Sequence, residues 1–178
     1  MRSDIPAGDT SPGLAPLDET VDHVRGPAGG RLIVEYGDYE CPYSRAAYGA
    51  IQLVVGDGVR FAFRHFPLTE IHPHALAASA AAEAAARQGR FWEMSDLLFH
   101  RQRALADEDL RGYAAMLDLD AAAFDADRQS GKVQARIRRD VESGLDSGQV
   151  RGTPTLFIDG VLHQGGYDPA SLLEALRA

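Results

Sequence analysis

The sequence predicts an α/β protein in which a helical insertion separates a strand–helix–strand half from a strand–strand–helix half. Three observations predict it. A continuous apolar run, Arg31–Gly37, leads through a helical stretch, Arg45–Val54, to the alternating strand Val59–Phe66. Helical patterns then fill the chain from about residue 74 to 148. Strand character returns at Thr155–Ile158, turns at Asp159-Gly160, resumes at Val161–His163 and gives way to a last helix, Ala170–Arg177.

Each element has a local reason. Residues 1–19 carry Pro6, Pro12 and Pro16 with few apolar side chains, and read as a flexible or loosely packed arm before a domain over 20–178. Thr20–Arg25 reads as a short edge strand stopped by Gly26-Pro27. The Arg31–Gly37 run is apolar enough for burial on both faces. Gly56-Asp57-Gly58 supplies the turn into the next strand, and strand, helix, strand in that order predicts a parallel crossover. Ala75–Gln88, almost all alanine, is a strong helix former closed by Gly89. Further helices are expected over Phe91–Gln102, Asp107–Leu117, Ala121–Asp127, with Asp120 as N-cap, and Val133–Ser147. Asp-Gly between two apolar runs is a strong hairpin signal.

Composition excludes several classes of function. The 178 residues are 45% apolar and 25% charged, as in ordinary globular domains. The net charge of −8 comes from acids spread along the chain, the opposite of a nucleic-acid footprint. No apolar run approaches the ~20 residues of a membrane helix. The first ten residues hold no apolar core, so a secretory signal is not expected. One cysteine cannot form an intrachain disulfide, and the expected location is the cytoplasm of a bacterial-type cell.

That cysteine, Cys41, opens the tetrapeptide Cys41-Pro42-Tyr43-Ser44 between a strand and a helix. Unpaired N–H groups and the positive end of the helix dipole favour an anion there. Such surroundings lower a thiol pKa from about 8.5 to roughly 3.5–7.5 and make it a nucleophile. Asp38 and Glu40 flank the site and are expected to be mostly solvated. Tyr43 is expected to be partly exposed, where it shapes substrate approach. His72-Pro73-His74 offers only two imidazoles, so no metal site is expected. His65, Trp92 and Tyr167 read as structural.

The chain resembles the DsbA-like branch of the thioredoxin superfamily. Four features carry the resemblance in order: Glu35–Tyr43 leading into the active-site helix, Arg64-His65-Phe66-Pro67-Leu68 at the next strand end, the helical insertion, and Gly152–Phe157. It implies a thioredoxin-like fold, a cis proline at Pro154, and a Thr153 backbone that pairs with substrate as an added strand. It also implies a buried acid at Glu35 able to relay a proton to a leaving thiol; the bland alternative is a strand-end glutamate paired with an arginine or facing water. The sequence departs from the dithiol pattern at Ser44, where a resolving cysteine would stand. Monothiol disulfide exchange is therefore expected, with Cys41, Ser44 and Glu35 catalytic, Ser44 donating to the Cys41 thiolate, and Pro42, Tyr43, Thr153 and Pro154 meeting substrate. No cofactor is expected beyond glutathione or another small thiol as co-substrate, and the partners expected are protein or small-molecule disulfides and thiols. A non-catalytic binding or chaperone-like protein and a cysteine redox sensor remain open alternatives.

Overall fold

A computed structural model of the chain describes residues 13–56 and 58–178. The first half contains β1 (His23–Arg25), β2 (Arg31–Gly37), α1 (Pro42–Val54) and β3 (Val59–His65). The insertion contains α2 (Ala75–Ala86), α3 (Phe91–His100), α4 (Asp107–Met116), α5 (Ala121–Arg128) and α6 (Gly131–Asp146). The chain ends with β4 (Thr155–Ile158), β5 (Val161–Leu162) and α7 (Pro169–Arg177). The strands form one sheet in the order β1-β3-β2-β4-β5. β2 and β3 are parallel with Glu35 opposite Phe63, and β2 and β4 are antiparallel with Tyr36 opposite Thr155.

The sheet is the middle layer of the molecule because β2 and β3 alternate apolar side chains to both faces. On one face Ile33, Phe61 and Phe63 join Tyr48 and Ile51 of α1 with Met94, Leu98 and Phe99 of α3. On the other, Val34, Tyr36, Ala62 and Phe157 pack with Phe66 and Val150. The alanines of α2 are nearly all buried, so its small side chains allow the insertion helices to approach closely.

Element ends differ from the sequence reading for local reasons. α1 starts at Pro42 rather than Arg45, since proline at the first helical position lacks only a donor the helix does not use. α3 stops at His100, so Gln102 lies beyond it in the connection to α4. Asp120 caps α5 as expected, its carboxylate accepting from Ala123 N–H at 2.7 Å.

Of the expected arm, residues 1–12 lie outside the described residues, and 13–19 are not loose. The buried Arg64 guanidinium donates to the Ala15 and Pro16 carbonyls at 3.0 Å each, and Leu14 and Leu17 pack against the second core cluster. A strand arginine turned inward needs acceptors, and the arm supplies them.

Candidate active site

Cys41 is the N-cap of α1, with extended backbone and no side-chain capping bond. Pro42 follows at the first helical position and Tyr43 stands 64% exposed beside it. Cys41 itself is only 3% exposed, and its Sγ lies 3.4 Å from the Thr153 carbonyl oxygen, to which the thiol donates. The Thr153–Pro154 peptide is cis. Two chain segments 112 residues apart thus meet at one sulfur, because β4 runs beside β2 and delivers its preceding loop to the start of α1.

A groove of about 400 Å³ opens beside this contact, lined among others by Gln149, Arg151, Thr153, Pro154, His163 and Tyr167. The Thr153 hydroxyl is buried without a hydrogen-bond partner among the described residues.

Ser44 is fully buried one turn into α1, and its Oγ accepts from the Asp38 N–H at 3.2 Å. The hydroxyl therefore ties the turn before Cys41 to the helix after it. Glu35 is fully buried on the β2 face shared with Ile33, and neither of its oxygens has a hydrogen-bond partner among the described residues. Burial pushes its carboxyl well above the usual carboxylate range, with Arg25 pulling weakly the other way. Glu35 is buried and does not face water; Arg25 acts on it through charge, with no hydrogen bond between them among the described residues.

The expectation that Asp38 and Glu40 are solvated is overturned. Asp38 is fully buried and accepts from the Glu40 N–H at 2.8 Å, the Leu68 N–H at 2.9 Å and His72 Nδ1 at 2.8 Å. Glu40 accepts from the His74 N–H at 2.7 Å and from His74 Nδ1 at 3.2 Å. A loop that folds back after β3 supplies donors to both acids, a contact no local pattern announces. Gln102 was not singled out in the sequence either. Its side-chain amide donates to the Tyr39 and Cys41 carbonyls at 2.7 and 2.9 Å, so the insertion holds the Cys41 turn directly.

A second cluster brings together His23, His65 and Glu83, whose ligand-type atoms all lie within 4.8 Å of one another. Both imidazole Nε2 atoms, at 2.7 and 2.8 Å, donate to Glu83 Oε1, and Arg136 Nε stands 3.9 Å from the same oxygen. Burial alone would raise the Glu83 pKa, but the two imidazole bonds hold it below the usual carboxylate range. A cation there would have to displace both bonds beside an arginine, so the donor set fits a charge-compensated core better than a metal centre.

Comparisons with known proteins agree with this geometry. A family profile described as thioredoxin matches residues 20–178. Among solved structures, a thioredoxin-like oxidoreductase from Silicibacter pomeroyi superposes with a TM-score of 0.77 at 26% identity, covering 88% of this chain and 90% of that one. DsbA2 of Pseudomonas aeruginosa gives 0.72 at 26% identity, covering 87% and 92%. The thiol-disulfide exchange protein α-DsbA2 of Wolbachia pipientis gives 0.76 at 21% identity over 86% and 84%, a likeness of fold. Several sodium/proton antiporters match in sequence: NhaA 1 of Salinispora arenicola is 45% identical over 168 residues, 93% of this chain and 25% of its own length. NhaA of Herminiimonas arsenicoxydans is 43% identical over 167 residues, 92% of this chain and 26% of its own. The chain spans about a quarter of the length of these relatives. No helix among its described residues is long and apolar enough to cross a membrane. The profile runs through both halves of the sheet, the insertion and the residues around Cys41, and the chain belongs to the thioredoxin family, with the fold of DsbA-type thiol-disulfide oxidoreductases.

Proposed function

We infer that the chain carries out monothiol thiol-disulfide exchange through Cys41. The observation that carries this reading is the thiol at the α1 N-cap, held against the carbonyl of the residue before Pro154. The helix start favours negative charge on the sulfur, and the groove beside Thr153 offers backbone and polar groups to an extended substrate.

The reaction balances as two exchanges. The Cys41 thiolate attacks one sulfur of a substrate disulfide; a Cys41–substrate disulfide forms, the substrate S–S bond breaks, and the departing thiolate takes up a proton. A small external thiol, with glutathione as the type, then attacks the mixed disulfide as its thiolate. It forms a disulfide with the substrate sulfur and returns Cys41 as thiolate. Ser44 cannot replace the external thiol because a hydroxyl is not oxidised. Its part is to fix the turn through Asp38 N–H and to offer its own proton near the site. Glu35 is assigned as a proton store behind the turn, since burial keeps its carboxyl protonated beyond the usual range. Tyr43 and Pro42 flank the approaching substrate, and Thr153 with Pro154 forms the docking edge. A reducing cytoplasmic pool of small thiols is the setting this reading assumes.

The test is turnover of a glutathionylated peptide. Wild-type protein should deglutathionylate it when glutathione is present, and should accumulate a Cys41-glutathione adduct, visible by mass, when glutathione is withheld. Cys41→Ser should abolish both. Ser44→Cys, which restores an internal resolving thiol, should raise insulin reduction by about tenfold. If no adduct forms in the wild type, the reading fails and a non-catalytic binding protein on this fold takes its place. Rapid peroxide oxidation of Cys41 without turnover would instead identify a sensor.

A further inference from the structure

The groove beside Thr153 differs in charge from the chain that forms it. The protein carries a net charge of −8, yet no aspartate or glutamate is among the groove's lining residues, and Arg151 is its one arginine or lysine. The acids that border the lining segments are committed elsewhere. Asp159 pairs with Arg31, and Asp168 caps α7, accepting from the Ser171 hydroxyl at 2.6 Å. Asp146 ends α6 and does not line the groove. Arg31, Arg64 and Arg139 are each held by a carboxylate, whereas Arg151 is exposed and stands in no ion pair among the described residues.

A fixed wall presents that arginine. Val150 is 3% exposed in the second core cluster, which leaves its neighbours Gln149 and Arg151 to line the groove. Ser147 Oγ accepts from the Gln149 N–H at 3.1 Å, and Thr155 Oγ1 donates to the Gly152 carbonyl at 2.7 Å. In the other lining segment His163 Nε2 donates to the Gly166 carbonyl at 2.8 Å. Walls held in this way lose little freedom when a substrate settles between them. Thr153 joins the wall to the sulfur, its carbonyl lying 3.4 Å from Cys41 Sγ. Arg151 is two residues before Thr153, a span of at most about 7 Å of backbone. A peptide whose cysteine meets Cys41 therefore brings its adjoining residues within reach of the guanidinium.

Resting on the reading of Cys41 as nucleophile, we propose that the groove selects disulfides in acidic peptide segments and that Arg151 sets this preference. Carboxylates beside the substrate cysteine meet Arg151 as the peptide lies along Thr153. Gln149 and Gln164 line the same groove with uncharged amides and set no like charge against an acid. In the exchange the Cys41 thiolate forms a bond to one peptide sulfur and the peptide S–S bond breaks. The second sulfur leaves as a thiolate and takes up a proton from water.

The experiment is the rate at which Cys41 forms a mixed disulfide, read by mass, with two blocked peptides supplied as disulfide-linked homodimers. The peptides differ only in whether glutamate or lysine flanks the cysteine on both sides. Each rate is divided by that of free β-mercaptoethanol with the same peptide, at about pH 8, where an ordinary histidine is uncharged. The net charge of −8 acting at long range favours the lysine peptide. Wild type should nonetheless react at least about threefold faster with the glutamate peptide. The glutamate-to-lysine ratio should fall about threefold in Arg151→Gln and about tenfold in Arg151→Glu. In wild type it should narrow toward one in about 1 M salt, where screening acts over about 3 Å. The same ratio in wild type and both variants overturns the proposal, and so does an equal loss of rate for both peptides, which marks a structural role. Glutathione disulfide is the third substrate. Dependence on Arg151 seen with it and not with the peptides also overturns the proposal, because the groove then serves the external thiol. A wild type that exchanges with neither peptide nor with neutral hydroxyethyl disulfide overturns both this proposal and the exchange reading. Exchange with the neutral disulfide, without a charge preference between the peptides, overturns this one alone.

Discussion

Two buried acids, six residues from Cys41 and three from it, differ in their hydrogen bonds. Asp38 is met by three donors on its carboxylate. Glu35 has none among the described residues, and burial raises its pKa. An acid whose folded pKa is raised favours the native state below its unfolded pKa, and that contribution is lost as pH rises toward the folded value. Glu35→Gln removes the titration. Its stability in urea should match wild type at about pH 4 and exceed it by about 1–3 kcal/mol at about pH 8. Equal pH dependence in the two proteins would show that Glu35 is ionised in the fold and would remove its assignment as a proton store.

At the scale of elements, glycines show how closely the site is packed. Gly37 ends β2 where a Cβ would meet Phe63 Cε2 at 2.5 Å and Glu35 Oε1 at 3.0 Å. Phe63 is fully buried among Tyr39, Phe91 and Phe99 and has nowhere to turn. Gly37→Ala should therefore cost about 1–3 kcal/mol in urea denaturation. Gly49, on α1, has nothing within 4 Å of its added Cβ. There the alanine should stabilise by about 0.5–1 kcal/mol through helix propensity. The contrast tests whether α1 is free along that face while the end of β2 is not. The helix itself was legible from its strand–turn–helix pattern, but its first turn was not, because Pro42 reads as a breaker unless it stands at the first helical position.

Across the whole molecule, a buried charge network joins the chain's beginning, its sheet and its insertion. Arg64 of β3 donates to Asp22 at 3.1 and 2.9 Å, and Arg139 of α6 donates to the same carboxylate at 3.0 Å. Burial would raise the Asp22 pKa, but the bonds from Arg64, the Asp18 N–H and Arg139 outweigh it and hold it at about 2. For an acid with a lowered folded pKa, stability is present above the unfolded value and is lost as pH falls through the folded one. Acid destabilisation between about pH 4 and 2 should thus be shallower in Asp22→Asn than in wild type, measured by urea melts across that window. Arg64→Met, which leaves Asp22 buried without its main partner, should cost about 3–5 kcal/mol near neutral pH. An Arg64→Met protein as stable as wild type would show that Arg139 alone compensates the acid.

The sequence by itself determined the order of elements, the sheet's two halves, the helical insertion, and the position of one thiol at a helix start; the family resemblance implied that Thr153-Pro154 faces it. These follow from signals local in the chain: apolar periodicity, an alanine run, Asp-Gly and proline placement, and the missing second cysteine at Ser44. Tertiary structure alone decided which groups surround that thiol. Asp38 and Glu40 look solvated in sequence because nothing nearby pairs them; their partners His72 and His74 lie 34 residues away, and Gln102 lies 61 residues from Cys41. The same holds for Glu83, whose two imidazoles come from separate strands. Burial of an acid and the supply of its donors depend on contacts between distant segments, and these exist only once the sheet has brought the insertion and the active-site turn together.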